Sequence, residues 1–175
     1  MEANAAASDG LWMKIAKKAT GIPTCSAPEA LDVALCFGWI DGQRKANDEV
    51  SFLQRYCRRR PKSSWSKINV AKVEVLTAAG RMRPAGLAEV EAAQADGRWA
   101  AAYESQRLAE VPPDLMATLA VNARADRTFE RLGKSDRYVL LLPLLKARTP
   151  EARTRIIGQL IKRLAAQEKG SGPDR

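Results

Sequence analysis

The sequence predicts an α+β protein: a small N-terminal antiparallel sheet with packed helices, followed by an all-helical C-terminal region. Two patterns lead to that expectation. Apolar residues alternate with period two in short segments before residue 60, and from Ser66 onward the period becomes helical. A double proline, Pro112-Pro113, then separates the mixed region from a run of helical stretches. The expected organisation is a disordered or truncated start over 1–10, an α+β core over 11–111, a helical subdomain over 112–168 and a disordered tail over 169–175.

The first element is "LWMKIAKK" (11–18). Leu11, Met13 and Ile15 alternate with Trp12, Lys14 and Ala16, the period of a strand with one buried face. "TGIP" (20–23) is a turn. In "SAPEALDVALCFG" Ser26 is an N-cap, Pro28 lies in the first turn and Glu29 completes a capping box. Ala30, Leu31, Ala34 and Leu35 form its stripe, and Gly38 stops it. "WIDGQRKA" (39–46) reads as a strand, or strand plus turn, around Asp41-Gly42. "VSFLQRYCR" (50–58) is a strand with Phe52, Gln54 and Tyr56 on one face and Leu53, Arg55 and Cys57 on the other.

Helical spacing follows. "NVAKVEVLTAAG" (69–80) offers Asn69 as cap, Val70, Val73 and Leu76 as buried stripe, and Gly80 as stop. "RPAGLAEVEAAQADG" (83–97) starts at Pro84 with Leu87 and Val90 inward and ends at Gly97. Beyond the double proline come "PDLMATLAVN", "ADRTFERLG", "KSDRYVLLLPLLKA" and "PEARTRIIGQLIKRLAAQ". Pro143 should end or kink the third of these. The last carries Ile156, Ile157, Leu160, Ile161 and Leu164 on one face.

Composition narrows the chemistry. The chain contains no histidine, which removes Ser-His-Asp and Cys-His arrangements and histidine metal sites. Cys25, Cys36 and Cys57 are odd in number and widely spaced, against both a disulfide framework and a zinc site. Cys57 lies among Arg55, Arg58 and Arg59, a setting that favours a reactive thiolate, although no histidine can serve as its base. Neither GxGxxG nor GxxxxGK[ST] occurs, so no catalytic residue, metal or cofactor is implied. No apolar run approaches the ~20 residues of a membrane span, and the first ten residues lack the pattern of a secretory leader, so a cytoplasmic location is expected. The formal net charge of +9 invites an anionic partner.

"ALCFGWIDGQ" (34–43), "LQRYCRRRPKSSWSKIN" (53–69), "AAGRMRPAGLAEVEAAQADGRW" (78–99) and "PEARTRIIGQLIKRLA" together resemble the YdeI/OmpD-associated, or bacteriocin-protection, family over roughly residues 11–168. The family usually reads R-F-T-P-R-R-P where this chain has Arg55-Tyr56-Cys57-Arg58-Arg59-Arg60-Pro61. The resemblance implies a link to envelope stress or to protection against antimicrobial peptides, and it implies no reaction and no cofactor.

The candidate site lies in the second and third strands and the segment after them. Pairing of those strands would gather Asp41, Gln43, Arg44, Arg55, Arg59 and Arg60, with Trp39 and Trp65 as flat walls. Ser64, Lys67 and Asn69 would stand at a helix opening, where backbone N–H groups attract anions. Guanidinium forks beside an indole suit a carboxylate or phosphate. The same residues also fit a plainer role: core tryptophans, an Asp41 that pairs with Arg44 or caps its turn, Ser66 or Asn69 as a helix cap, and a charged edge that discourages sheet pairing. Three functions follow in order of preference. One is a non-catalytic binding or protection protein for an anionic or aromatic small molecule or peptide. The others are a nucleic-acid-binding protein, and an enzyme using Asp41 with Lys67 or Tyr56 as acid and base. The oligomeric state is not encoded in any pattern identified.

Overall fold

Residues 9–167 are described by the computed structural model. The loose ends expected from the sequence lie outside the described residues, except for Asp9 and Gly10, and Gly10 already opens the first strand. β1 (Gly10–Ala16), β2 (Trp39–Ala46) and β3 (Ser51–Arg58) form one antiparallel sheet in the order β1-β3-β2. The tight β2–β3 turn is held by Asp48. Its carboxylate accepts hydrogen bonds from Ser51 Oγ (2.6 Å) and the Val50 N–H (3.0 Å), and an ion pair from Lys14 Nζ on β1 (3.1 Å). These bonds, that of Ser51 first, hold the Asp48 carboxyl well below its ordinary pKa.

Register decides which face is covered. Leu11 opposes Tyr56, Met13 opposes Gln54 and Ile15 opposes Phe52, so these six share a face. Helix α1 (Ala27–Cys36) covers it, with Ala30 and Ala34 packed on Trp39 and Tyr56. The expected capping box forms at Ser26 and Glu29. The Tyr56 hydroxyl donates to the Ala27 carbonyl (3.1 Å), pinning the first turn of α1 to the central strand. Burial, helped by the negative charge of Asp41, pushes the Tyr56 hydroxyl up to about 12.

Helices α2 (Lys67–Ala78) and α3 (Pro84–Ala95) pack beside α1 around Leu35, Cys36, Trp65, Val73, Leu76, Val90 and Ala93. Of the two cap candidates, Ser66 and Asn69, Ser66 caps α2, and the Asn69 backbone N–H donates to its Oγ (3.2 Å). Leu87, expected inward, is exposed; Gly86 and Ala93 face the core instead. The reason is the close approach of α3 to the last turn of α1. The Arg83 N–H donates to the Cys36 carbonyl (3.0 Å), and a Cβ on Gly86 would come within 2.9 Å of Leu35 O and closer still to Cys36 O.

The chain divides into two units between Ala102 and Tyr103. The second contains α4 (Pro113–Ala120), α5 (Ala123–Arg131), α6 (Lys134–Leu145) and α7 (Pro150–Gln167). Its core joins Leu115, Leu119, Phe129, Leu141, Leu144 and the predicted α7 stripe at Ile157, Leu160 and Leu164. Arg153 forks onto the Asp114 carboxylate at the start of α4, which holds that carboxyl low. Pro143 does not end α6, which runs on to Leu145; it lies in the last turn. Among the described residues no helix is long and apolar enough to cross a membrane.

Two outcomes follow from this packing. Gly86→Ala, normally favourable in a helix, should destabilise the N-terminal unit by about 1–3 kcal/mol in urea denaturation, because the methyl overpacks the α1 terminus. Between pH 10 and about 12 the unfolded chain releases the Tyr56 proton while the folded chain keeps it, so stability falls as pH rises through that window. Tyr56→Phe should flatten this fall in pH-resolved denaturation while costing ~1 kcal/mol at neutral pH from the lost hydrogen bond.

Candidate functional site

The β2–β3 pairing is interrupted. Asp41 opposes Tyr56 and Arg44 opposes Gln54, so Gly42 and Gln43 together face Arg55, a β-bulge. The buried side chain of Gln54 fills the gap in the ladder. Its Nε2 lies within reach of the carbonyls of Gly42 (3.1 Å), Gln43 (3.3 Å) and Arg55 (3.3 Å), and its Oε1 accepts from Arg44 Nε (2.9 Å). One polar side chain therefore satisfies backbone groups that the bulge leaves unpaired.

The bulge borders a recess of about 500 Å³. Arg55, Cys57 and Arg58 line it from β3, and Arg59 and Arg60 from the segment that follows. Gly42 and Gln43 form its other side, and Asp9 and Pro61 its rim. Arg55 and Cys57 point to the face opposite α1, as their register with Trp12 and Gly10 requires. Gly10 makes room for them: a Cβ there would lie 3.2 Å from Arg55 Nε and 3.2 Å from Cys57 Cβ.

Of the residues expected in the site, Gln43, Arg55, Arg59 and Arg60 meet in this recess. The others do not. Trp39 is 1% and Trp65 2% exposed, so neither is a wall of the expected cleft. Trp39 is in the α1 core and reaches only the edge of a neighbouring hollow of about 440 Å³ that also contains Glu89. Trp65 is covered by the Arg59 guanidinium 3.7 Å above its ring and by Trp99, centroid to centroid 4.9 Å. Arg44 turns toward the covered face, over the Phe52 ring at 4.4 Å. Asp41 shares that face with Tyr56, whose hydroxyl is committed to Ala27. Ser64 gives its carbonyl to Arg59 Nη2 (2.8 Å). Lys67 is the exposed first residue of α2, and Asn69 is buried in its first turn. The helix opening is closed by its own serine cap.

Arg59 thus has two roles. Its side chain borders the recess, but it is only 4% exposed and braces the following loop, together with the buried Arg98, which donates to the Ser63 carbonyl (3.2 Å). The exposed indole is Trp12, 41% accessible on the helix-free face, with Lys45 Nζ 4.5 Å above its ring. The alternation in residues 11–16 already placed Trp12 opposite the buried set; the signal was present and unused.

In the C-terminal unit a hollow of about 430 Å³ is lined partly by Lys134, Arg137 and Tyr138. There the polar groups bond to backbone: Lys134 to the Arg107 carbonyl, Arg137 to Phe129 and Glu130, and Tyr138 to Glu104. Among the described residues no group of three histidine, cysteine, aspartate or glutamate side chains is placed to hold a metal ion.

These features define an α+β protein with a three-stranded sheet module, a basic recess on its open face and a separate helical module. The chain belongs to the family described as Domain of unknown function (DUF8412), whose model matches residues 1–89. Residues 108–167 match the family described as Bacteriocin-protection, YdeI or OmpD-Associated. The resemblance noted in the sequence therefore holds in the C-terminal part, whereas the segments at 34–43 and 53–69 lie in the region matched by the other family. No curated protein and no solved structure matches the chain.

The two classes of arginine should separate on mutation. Arg59→Ala should cost about 1.5–3 kcal/mol in urea denaturation, the value of a buried charge-assisted hydrogen bond, and Arg59→Lys should not restore the planar fork. The exposed Arg60→Ala should stay within about 0.5 kcal/mol of the parent.

Proposed function

We propose that this chain is a non-catalytic binding protein whose basic recess captures an anionic small molecule, in a protective role of the kind named by the family that its C-terminal part matches. The supporting observation is the run of arginines lining one recess beside the bulge, where Arg55 and Arg60 lie at the surface and Arg59 is buried behind them. Guanidinium forks bind carboxylate and phosphate oxygens in pairs, and the partly apolar sheet beneath lowers the local dielectric. The tryptophans first assigned to the cleft are in the core, so recognition here rests on charge. Against a nucleic-acid track, Asp9 intrudes at the rim, and Asp48 and Glu49 lie at the far end of the β2–β3 hairpin.

Pyrophosphate and citrate are suitable probes. At ~100 Kd either should add ~2.7 kcal/mol to stability in a thermal-shift titration. The double variant Arg55→Ala/Arg60→Ala should lose that gain while folding normally. Stabilisation by neither anion at low salt would overturn the reading. A DNA fragment that binds the parent at about 50 mM salt, is released by about 300 mM, and is not held by the double variant would favour the nucleic-acid alternative instead.

A further inference from the structure

The helix-free face of the sheet has an order that the recess alone does not explain. Row by row, Gly10 lies beside Cys57, Trp12 beside Arg55, and Lys14 beside Leu53, with Ile40 and Lys45 completing the first and third rows from β2. Side chains of directly opposed residues stand about 5 Å apart at Cβ. Trp12 and Arg55 are such a pair, and Arg55 lines the recess. An exposed indole therefore adjoins an arginine-lined hollow on one continuous surface.

Four chemistries meet along that surface. The Trp12 ring is a stacking platform for a flat heterocycle. The Gln43 carboxamide, exposed at the recess edge, has a donor and an acceptor for such a ring's edge. The Asp9 carboxylate at the rim is placed to accept hydrogen bonds from a ligand's neighbouring hydroxyls, as acidic residues do with ribose. Arg55 and Arg60 supply two guanidinium forks, a match for the several oxygens of a phosphate dianion. Asp9 also disfavours a longer polyphosphate.

We infer that the recess and Trp12 together form a site for a nucleoside monophosphate, with the base stacked on Trp12 and the phosphate held by Arg55 and Arg60. The inference rests on the anion-binding reading above and adds the ring and the sugar to it. Lys45 now covers the indole, but it is exposed and long enough for its ammonium to leave the ring for the phosphate. A continuous single strand fits less well, because the third row ends at the Lys14–Asp48 ion pair rather than in further basic residues.

The test compares AMP with ribose 5-phosphate and pyrophosphate by calorimetry, and follows indole fluorescence. Trp39 and Trp65 are sealed in the core and the half-buried Trp99 packs on Trp65 away from the recess, so quenching by a ligand here should come from Trp12 and vanish in Trp12→Ala. AMP should bind the parent about tenfold more tightly than ribose 5-phosphate and quench its fluorescence. Trp12→Ala should erase that preference and the quenching while leaving ribose 5-phosphate affinity unchanged; Trp12→Phe should keep most of the preference. Equal binding of AMP and ribose 5-phosphate to the parent would overturn the inference, as would equal weakening of both by Trp12→Ala. Should pyrophosphate bind and AMP gain nothing over it, the anion reading stands and the nucleotide falls; should none of the three bind, both fall. A short single-stranded oligonucleotide that binds far more tightly than AMP, with a salt slope of several phosphates, would also overturn the mononucleotide.

Discussion

The N-terminal unit depends on how Arg59 is buried. Arg59 leaves the central strand and lies flat on Trp65, its Nη2 on the Ser64 carbonyl and its own N–H on the Gly38 carbonyl (3.2 Å). A guanidinium can be buried this way because it is weakly hydrated and planar, stacking on an aromatic face while its edge donates. The contact decides how the chain passes from sheet to helix. It folds 61–64 back under Trp65, where Lys62 takes a left-handed φ of 63°, and delivers Ser66 to cap α2. Lysine would supply charge without the plane. Loss of the stack would release the arginine run as well as the second core.

That geometry separates three adjacent arginines that look equivalent in sequence. Arg59 belongs to the core, while Arg58 and Arg60 remain on the exposed side. On β2 the bulge works similarly. Two residues facing one bend the strand, and Gln54, a polar residue in a covered position, satisfies the resulting carbonyls. An apolar residue at 54 would pack equally well and leave those carbonyls and Arg44 without this partner. The recess is thus shaped from behind, by a buried amide and a buried cation that do not themselves form its open surface.

Most of the fold was legible because period and caps are local. The alternation at 11–16 and 51–58, the Ser26 capping box and the α7 stripe each needed only neighbouring residues, and each recurs in the structure. The misplacements involve distant partners. Leu87 faces outward because α3 must bring Gly86 against Cys36, a contact between helices far apart in sequence. Trp39 and Trp65 were assigned to a cleft on side-chain type, but an aromatic faces a ligand only if the fold leaves it uncovered. Trp12 is uncovered because α1 packs on the opposite face of the sheet, which no single strand reveals.

The contrast between the two units gives the placement of the site its physical basis. The cations around the hollow and core of the C-terminal unit are spent on architecture: Arg137 on carbonyls at the end of α5, Arg153 on Asp114, and Lys146 on the Tyr103 ring, where burial lowers its pKa. Positive charge already matched by a carbonyl or carboxylate attracts a further anion weakly, since binding must first break or share the bond. In the N-terminal unit, by contrast, Arg59 and Arg98 do the bracing from inside, so Arg55 and Arg60 are not needed for it. A protein that uses a few buried arginines as structural pins can place others of the same run at its surface. The sheet's uncovered face is where this chain places them.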